Sequence, residues 1–429
     1  MKDSGVQWIG EIPEDWEVIP TKYVFSNKKI IVGIEEDKYE RLALTLNGVV
    51  KRSKTDSEGL QPIKFSTYQI LRENELVFKL IDLQNISTSR VGLSPFTGIV
   101  SPAYIVLSIN DRKVDNEKFY YYWFMSMYYR QIFNQLGDDG VRSNINSTQL
   151  LNIPIPKTDI FTQNRIVQFI DDKSKKISGI QNIINQEIQS LEDYKKAIIT
   201  EAVTKGLDKK APMKDSGIEW IGEIPKHWEK GKVKHICQTI GSGATPTSSD
   251  YSFYNNGSIN WIQSGDLYKK NKVRDTEKYI TEKAIKAHPA LKIYKNPFLV
   301  IAMYGGGSVG NVAVSLIDAA TNQACCVIKT NNDSDLMYLY YWLTFAKEDL
   351  LNKSEGARQP NISQDKIKNQ IIFTPPLKEQ EEIVSYLDQK TATIDHIISI
   401  KRQQLQVLED YKKSLIYEYV TGKKEVAHG

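Results

Sequence analysis

Cysteine is scarce in this 429-residue chain, which excludes several kinds of site. The three copies, Cys237, Cys325 and Cys326, show neither CxxC pairs nor the Cys/His spacing typical of zinc sites. Three cysteines also cannot form a disulfide framework, so we expect reduced core thiols in a cytoplasmic protein. The five histidines show no metal-ligand spacing either. We therefore predict no metal site.

A strong excess of one charge is also missing. The chain has 56 Lys and Arg residues against 52 Asp and Glu residues, a formal net charge of +4. Any nucleic-acid surface would therefore have to be a local patch. No apolar run approaches the ~18 residues that a membrane helix needs, and the N-terminus lacks a signal-peptide pattern. We expect a soluble protein with no membrane partner.

Common motifs of phosphoryl and methyl transfer are absent from the sequence. It contains no GxxxxGK[ST] loop for ATP and no Asp/Asn-Pro-Pro-Tyr tetrapeptide for amino-group methylation. Residues 305–310, GGGSVG, fit GxGxxG, but a β-branched alternating run follows where a nucleotide-binding helix would be required. We predict a glycine-rich hairpin between two strands here. For the chain as a whole we predict a non-catalytic role without a cofactor of its own.

Two long stretches carry apolar side chains at heptad spacing. In residues 163–205 these are Ile170, Ile177, Ile184, Leu191 and Ile198, with a partial second row at Ile166, Ile180 and Tyr194. Residues 380–422 repeat the pattern with Leu387, Ile394, Leu408 and Leu415. The spacing predicts two long helices that bury one stripe against each other. Some 40 residues at about 1.5 Å each give a rod of roughly 60 Å, which would act as a spacer.

The repeat covers the whole chain. MKDSGVQWIGEIPEDWEV at Met1 recurs as MKDSGIEWIGEIPKHWEK at Met213. Each half opens with this head, continues through a variable body, passes a Gly-Xaa-Arg loop and ends in a long helix. The apolar residues of each head predict a docking segment that packs where one long helix ends against the next globule.

The two bodies differ, although both predict mixed α/β globules. The first predicts strands at 41–46, 75–80 and 99–109 and an aromatic helix at 116–133. The second predicts strands at 259–263, 298–304, 311–317 and 324–329 and a helix at 336–351. The spacing of tyrosine and tryptophan in both helices favours core packing over base stacking.

The predicted fold class is α+β, with two mixed α/β domains separated by a pair of long antiparallel coiled-coil helices in an internal pseudo-two-fold repeat. The predicted segments are a first mixed α/β domain at 1–160, a first spacer helix at 161–206, a connector at 207–212, a second mixed α/β domain at 213–376, a second spacer helix at 377–422 and a tail at 423–429.

The combination of motifs resembles the specificity subunit of Type I restriction-modification systems. The motifs are the DSG-x-x-WIGEIP-x-x-W head, the internal repeat, the Gly-Xaa-Arg…Asn-Ile loop and the QxxIV…LEDYKK helices. The second body adds GSGATPTSSDY, INWIQSGDL, YITEKAI and TNQACCVI, which look like a common recognition-domain subtype. The first body lacks GxTPT and WIxSGD, and it has VSPAYIVL where the second has ATNQACCVI.

This resemblance implies a DNA-reading function shared among several subunits. Each domain would read one half-site of a bipartite target in double-stranded DNA. Similar proteins sit between two modification (methyltransferase) subunits, which use S-adenosylmethionine, while a restriction subunit supplies ATP- and Mg-dependent translocation and cleavage. A stand-alone bipartite DNA-binding regulator and a coiled-coil adaptor remain as alternatives.

Loop residues are the predicted DNA contacts, because their side chains suit base edges or phosphate. In the first half they are Lys51, Arg52, Lys54, Arg90, Arg142 and Asn144. In the second half they are Ser242, Thr245, Thr247, Ser264, Asp266, Lys269, Lys270, Gly306, Ser308, Arg358, Gln359 and Asn361. The alternatives are solvated turn residues for the polar loops and, for the two Gly-Xaa-Arg loops, a structural cap on the long helix.

Overall fold

The computed structural model describes residues 1–55, 64–84, 90–137, 143–268, 270–305, 307–353 and 361–426. The chain divides into two compact units. Unit 1 comprises Met1–Asn185 and Lys401–Gly429, and unit 2 comprises Gln186–Ile400. Each unit therefore contains one head, one body and a segment of each long helix.

The elements of the first half precede and include the first long helix. They are β1 (Lys2–Asp3), β2 (Glu11–Ile12), β3 (Glu17–Pro20), β4 (Phe25–Ser26), β5 (Arg41–Thr45), β6 (Gly48–Arg52), β7 (Gln69–Leu71), β8 (Leu76–Phe78), β9 (Val91–Leu93), β10 (Gly98–Val100), β11 (Ile105–Ile109), α1 (Glu117–Tyr129), α2 (Ile132–Leu136), α3 (Ser147–Asn152), β12 (Pro154–Lys157) and α4 (Ile160–Lys205).

The elements of the second half follow in a similar order. They are β13 (Met213–Asp215), β14 (Glu223–Pro225), β15 (Glu229–Lys232), β16 (Cys237–Ser242), β17 (Ile259–Ile262), β18 (Lys272–Val273), β19 (Tyr279–Ile280), α5 (Glu282–Ala287), β20 (Phe298–Ala302), β21 (Val312–Ser315), β22 (Ala320–Thr321), β23 (Cys325–Thr330), α6 (Leu336–Phe345), α7 (Lys347–Asn352), α8 (Gln364–Lys368), β24 (Ile371–Thr374) and α9 (Leu377–Val420).

The two bodies share a core of their sheet topology despite their different sequences. The first has sheets in the orders β4-β11-β8-β9 and β6-β5-β10-β7, and the second has β16-β23-β20-β21-β18 and β19-β17-β22. In both, a parallel pair joins the smaller or second sheet to the strand before the central antiparallel strand, namely β5 with β10 and β17 with β22. The bodies differ in their outer strands, because β7 pairs with β10 in the first and β18 pairs in parallel with β21 in the second. In both, a terminal strand pair closes the body, β3 with β12 and β15 with β24. Two divergent sequences therefore form a common core frame.

The long helices pair in antiparallel fashion through the predicted seam. In unit 1 the beginning of α4 lies beside the end of α9, where the rings of Phe169 and Tyr419 are 4.4 Å apart. In unit 2 the end of α4 lies beside the beginning of α9, where Lys195 Nζ lies 2.7 Å from both carboxylate oxygens of Asp395. Most of the predicted heptad positions are buried, including Ile170, Ile177, Ile184, Ile198, Leu387, Ile394 and Leu415.

The predicted second row is wrong for two of its three residues. Ile180 is 46% exposed and Tyr194 is 53% exposed, whereas Ile166 is buried. A helix advances about 100° per residue, so position 180 points roughly 60° away from Ile177 and leaves the narrow seam of a two-helix pair.

Each head packs on the end of a long helix, as predicted. In unit 1, Ile9, Ile12 and Trp16 belong to one buried cluster with Leu415 and Val420 of α9. In unit 2, Ile224 and Trp228 share a buried cluster with Ile199 and Val203 of α4. Burial of these large apolar side chains stabilises the junction between head and helix.

Two equivalent glutamines fix each body to the start of its long helix. Gln163 accepts a hydrogen bond from the backbone N–H of Asn116, the N-cap of α1, and donates to the carbonyl of Thr158. Gln380 accepts from the backbone N–H of Asp335, the N-cap of α6, and donates to the carbonyl of Pro375.

Two tyrosines reinforce the same attachment. The hydroxyl of Tyr122 hydrogen-bonds Asp171, and that of Tyr341 donates to Asp388 at 2.6 Å. Burial, together with the adjacent carboxylate, raises the pKa of both hydroxyls far above the usual range. The attachment of body to helix is thus built in the same way in both units.

Some predicted elements divide in two. The predicted strand 99–109 is β10 and β11, which lie in different sheets and are separated by residues 101–104. Pro102 lacks a backbone N–H, which disfavours a continuous strand there. The predicted helix 116–133 breaks between α1 and α2, where Gln131 adopts a left-handed φ of 57°. The aromatic side chains of both helices lie largely in the core, as predicted, with Tyr120, Trp123, Tyr338 and Trp342 buried.

Candidate nucleic-acid interface

Several predicted DNA-binding loops of unit 2 meet at one edge of its sheets. Ser242 at the end of β16 pairs with Cys326, and Ala302 at the end of β20 pairs with Cys325. Thr321 of β22 pairs with Ile262 of β17, so the turn after β17 starts at the same edge. We call residues 242–247, 264–268, 307–310 and 321–324 the loop edge of unit 2.

Glycine allows these loops to approach one another closely. A Cβ atom on Gly243 would lie 1.7 Å from the carbonyl oxygen of Thr321, so no larger residue fits without movement of the backbone. Gly305 has a φ of +125°, and a Cβ atom there would lie 2.6 Å from the hydroxyl of Ser264. Glycine supplies both the unusual φ and the missing side chain. The glycine-rich segment connects β20 and β21, which confirms the predicted position between two strands.

The predicted contacts on the loop edge divide into exposed and buried groups. Thr245 and Thr247 are exposed, as is Lys270 just beyond the loop edge, whereas Ser242 and Ser264 are half-buried. Asp266 and Ser308 are buried, although both were predicted to be surface contacts.

The Asp266 carboxylate is used inside the fold. It accepts hydrogen bonds from the backbone N–H groups of Gln263 and Glu277 at 2.8 and 3.2 Å. The sequence context did not indicate this role, because an aspartate in a polar turn is usually solvated.

The predicted basic residues of unit 1 lie far from the turn that corresponds to the loop edge. That turn follows Thr45, because β5 is the counterpart of β17. Arg52 instead pairs with Arg41 at the beginning of β5, at the opposite end of the β5–β6 hairpin. Lys51 forms an ion pair with Glu40 at 2.5 Å and lies over the ring of Phe96. Lys54 donates to the carbonyl of Glu36. These cations are therefore held partly by the domain itself.

Arg90 lies in the interior and not in a surface loop. Its side chain is only 1% exposed, and its guanidinium donates to the carbonyl oxygens of Lys79, Ile81 and Asp82. Burial lowers the pKa of this guanidinium, and the charge of Asp82 acts in the opposite direction. Its three hydrogen bonds hold the segment after β8 together.

The two Gly-Xaa-Arg loops return to equivalent strand ends. Asn144 and Asn361 are exposed, and the isoleucine after each is buried. The N–H of Ile145 donates to Leu80 just after β8, and that of Ile362 donates to Met303 just after β20. Both loops thus end beside the same edge of the central sheet. The other predicted contacts lie outside the described residues, namely Arg142, Lys269, Gly306, Arg358 and Gln359.

A scan against protein-family models matched the Type I restriction modification DNA specificity domain at residues 13–190 and again at 225–409. The chain belongs to this family. Each match begins near the end of a head and covers the body that follows, together with most of a long helix. The specificity family therefore accounts for the repeat, the mixed α/β bodies and the coiled-coil helices in one architecture.

Curated relatives of this specificity protein match over almost its whole length. The putative type I restriction enzyme MjaX specificity subunit of Methanocaldococcus jannaschii is 26% identical, over 97% of this chain and 96% of that protein. The EcoR124I/EcoR124II specificity subunit of Escherichia coli is 23% identical, over 96% of this chain and 94% of that protein.

Solved structures support the same fold. A chain from a study of complex assembly and conformational transition of the type I R-M system superposes with a TM-score of 0.70 at 15% identity, over 96% of this chain and all of that one. The HsdS subunit from Thermoanaerobacter tengcongensis superposes with a TM-score of 0.50 at 14% identity, over 99% of this chain and all of that one.

Three polar residues at or beside the loop edge were missed in the sequence. Gln323 is exposed, and Thr245 donates a hydrogen bond to it. Tyr304 lies beside Gln323, and burial raises the pKa of its hydroxyl. Lys347 donates to Asn311 at 2.7 Å, and burial lowers the pKa of its ammonium group. In the sequence, only the string TNQACCVI indicated this region. A local pattern does not show which distant segments become neighbours through strand pairing, so these three contacts could not be predicted.

The loop edge presents hydroxyl and amide groups suited to hydrogen bonding. Within the described parts of the chain there is no group of His, Cys, Asp and Glu side chains that could hold a metal ion. Over those same residues, no helix is long and apolar enough to cross a membrane. Hydroxyls and amides are groups that contact base edges and phosphate oxygens.

Proposed function

We propose that this specificity-family protein reads a bipartite DNA target, with one half-site per recognition domain, as the non-catalytic subunit of a Type I restriction-modification complex. One observation carries the proposal: a common core of sheet topology occurs twice with different loops. A repeated frame with divergent loops is what two different half-sites require, because loops can change contacts while the scaffold is kept.

Reading of each half-site would rest on local contacts, since the net charge of the chain is only +4. Phosphate contacts supply most non-specific affinity, and base-edge contacts supply the sequence preference. The exposed threonines of the loop edge and its amide groups fit the second role. A nearly neutral chain also suggests that positive surface comes from partner subunits.

The scaffolding part of the proposal is supported by the attachment of each body to a long helix. Gln163 and Gln380 are buried, and each links the N-cap of a body helix to the beginning of a long helix. A body held in this way would keep a fixed orientation on its helix. In the proposed complex, two methyltransferase subunits supply S-adenosylmethionine chemistry, and a restriction subunit supplies ATP- and Mg-dependent steps in the cytoplasm.

A body exchange would test the assignment of half-sites. Residues 229–374 would be replaced by residues 17–157, because both segments begin and end in an equivalent antiparallel strand pair. The original and exchanged chains would each be expressed with a Type I methyltransferase subunit, and adenine methylation would be mapped across the genome. We expect a split motif from the original chain and a motif in which the first block occurs twice from the exchanged chain.

Copurification with the methyltransferase subunit would check that the exchanged chain is folded. An unchanged motif from a folded, copurifying exchanged chain would refute the assignment of one half-site per domain. Absence of methylation with the original chain, combined with tight, salt-tolerant DNA binding by that chain alone, would favour the stand-alone regulator instead.

A further inference from the structure

Gln323 occupies a defined place on the loop edge of unit 2. It lies between β22 and β23, and its neighbours Asn322 and Ala324 are buried. The N–H of Asn322 donates to the carbonyl of Ile262, and the side chain of Asn322 accepts from the N–H of Ala324. The backbone of this turn is therefore fixed on both sides, while the Gln323 side chain is exposed.

The carboxamide of Gln323 is held by a hydroxyl group from a neighbouring loop. The Thr245 hydroxyl donates to Gln323 Oε1. Thr245 follows β16, and Gln323 lies between β22 and β23, so this bond joins two of the loops at the loop edge. An exposed glutamine normally samples many rotamers, and this bond restricts it in advance.

A count of hydrogen-bonding capacity shows what this amide can still bind. A glutamine amide has two acceptor sites on its oxygen and two donor hydrogens on its nitrogen. Thr245 uses one acceptor site. One acceptor and two donors therefore remain on an exposed group, and they include a donor–acceptor pair. Adenine presents the matching pair in the major groove, an N6 amino donor and an N7 acceptor.

We propose that Gln323 reads an adenine in the second half-site and that Thr245 is its positioning residue. The proposal rests on the proposed function, because it names a base contact within the second half-site. The matching string of the first body, VSPAYIVL, places Pro102 where ATNQACCVI has Gln323. Proline offers no side-chain donor or acceptor, so this contact belongs to one half-site only.

Methylation mapping of Gln323→Ala, expressed with a Type I methyltransferase subunit, would test the proposal. We expect the preference for adenine at one position of the second block to fall roughly 10-fold or more, with the other positions kept. The first block of the same motif is an internal control for folding, assembly and expression. Gln389→Ala, at an exposed position on α9, is a matched surface control and should leave the whole motif unchanged.

Further variants separate reading from positioning. Gln323→Glu removes the donor and keeps acceptors, so we expect the same position to shift towards cytosine, whose N4 amino group is a donor. Thr245→Val removes the orienting hydroxyl, and we expect a smaller loss of preference at that same position.

Two results would overturn the inference while leaving the bipartite motif intact. One is an unchanged second block in Gln323→Ala. The other is uniform weakening at all positions of the second block, which would indicate a phosphate contact. Absence of any split motif with the original chain is a different outcome, because it would count against the proposed function itself.

Discussion

Replacing Gln380 by alanine should destabilise unit 2 strongly, although the residue is polar. The side chain is 1% exposed, accepts from Asp335 N–H at 2.9 Å and donates to the Pro375 carbonyl at 2.9 Å. Alanine removes both partners at once. It leaves a backbone donor at the start of α6 and a carbonyl before α9 without their bonds.

The size of the effect follows from these two lost bonds. A buried polar group left without its partner costs about 1–3 kcal/mol, so two such groups predict a loss of roughly 2–4 kcal/mol in the free energy of unfolding after partial rehydration. For a unit of about 200 residues, this corresponds to a fall of about 10 °C in the unfolding temperature.

Calorimetry of the full chain would measure the shift, and hydrogen exchange would assign it to unit 2. Gln163→Ala is the matched variant and should affect unit 1 in the same way. Gln389→Ala, exposed on the same helix, should change stability by less than about 0.5 kcal/mol. A shift below about 1 kcal/mol for Gln380→Ala would show that water replaces both bonds and that this attachment contributes little to the stability of unit 2.

Further predictions concern charge and thiol chemistry. The Asp318 carboxylate accepts hydrogen bonds from Lys295 and from two nitrogens of Asn296, and these bonds lower its pKa to about 2. The stability that it contributes is therefore complete above pH ~4 and is lost as pH falls towards 2. Denaturation curves of Asp318→Asn should lack this part of the acid dependence. Burial raises the pKa of Cys326 to about 12, so we expect a thiol reagent to leave it unmodified at pH 8 until urea unfolds the chain. A double-mutant cycle on Lys195 and Asp395, which are both partly exposed, should give a coupling of about 0.5 kcal/mol, and no measurable coupling would contradict a specific pair.

The sequence predicted those parts of the fold that depend on periodicity. Heptad spacing located both long helices to within about three residues at each end, and the burial of Ile170 and Leu387 follows directly from it. The repeated head predicted its own packing, because tryptophan and isoleucine in a short polar segment need a partner. These signals are local in the chain, so they can be read without a structure.

The candidate site was harder to predict, because it depends on which segments become neighbours. Gln323 gains its significance from Thr245, which is distant in the sequence. Arg90 follows a polar string typical of a surface loop, yet three carbonyl oxygens hold it inside the domain. Both outcomes follow from strand pairing, which local composition does not encode.

The division of the chain into units has a consequence for its synthesis on the ribosome. Unit 2 is one continuous segment, Gln186–Ile400, whereas unit 1 needs Met1–Asn185 together with Lys401–Gly429. A chain grows from its N-terminus, so the domain begun first is completed last. Until residues 401–429 emerge, the cluster that includes Trp16 lacks Leu415 and Val420. A premature stop after Ile400 would therefore damage the first recognition domain and leave the continuous segment of the second complete.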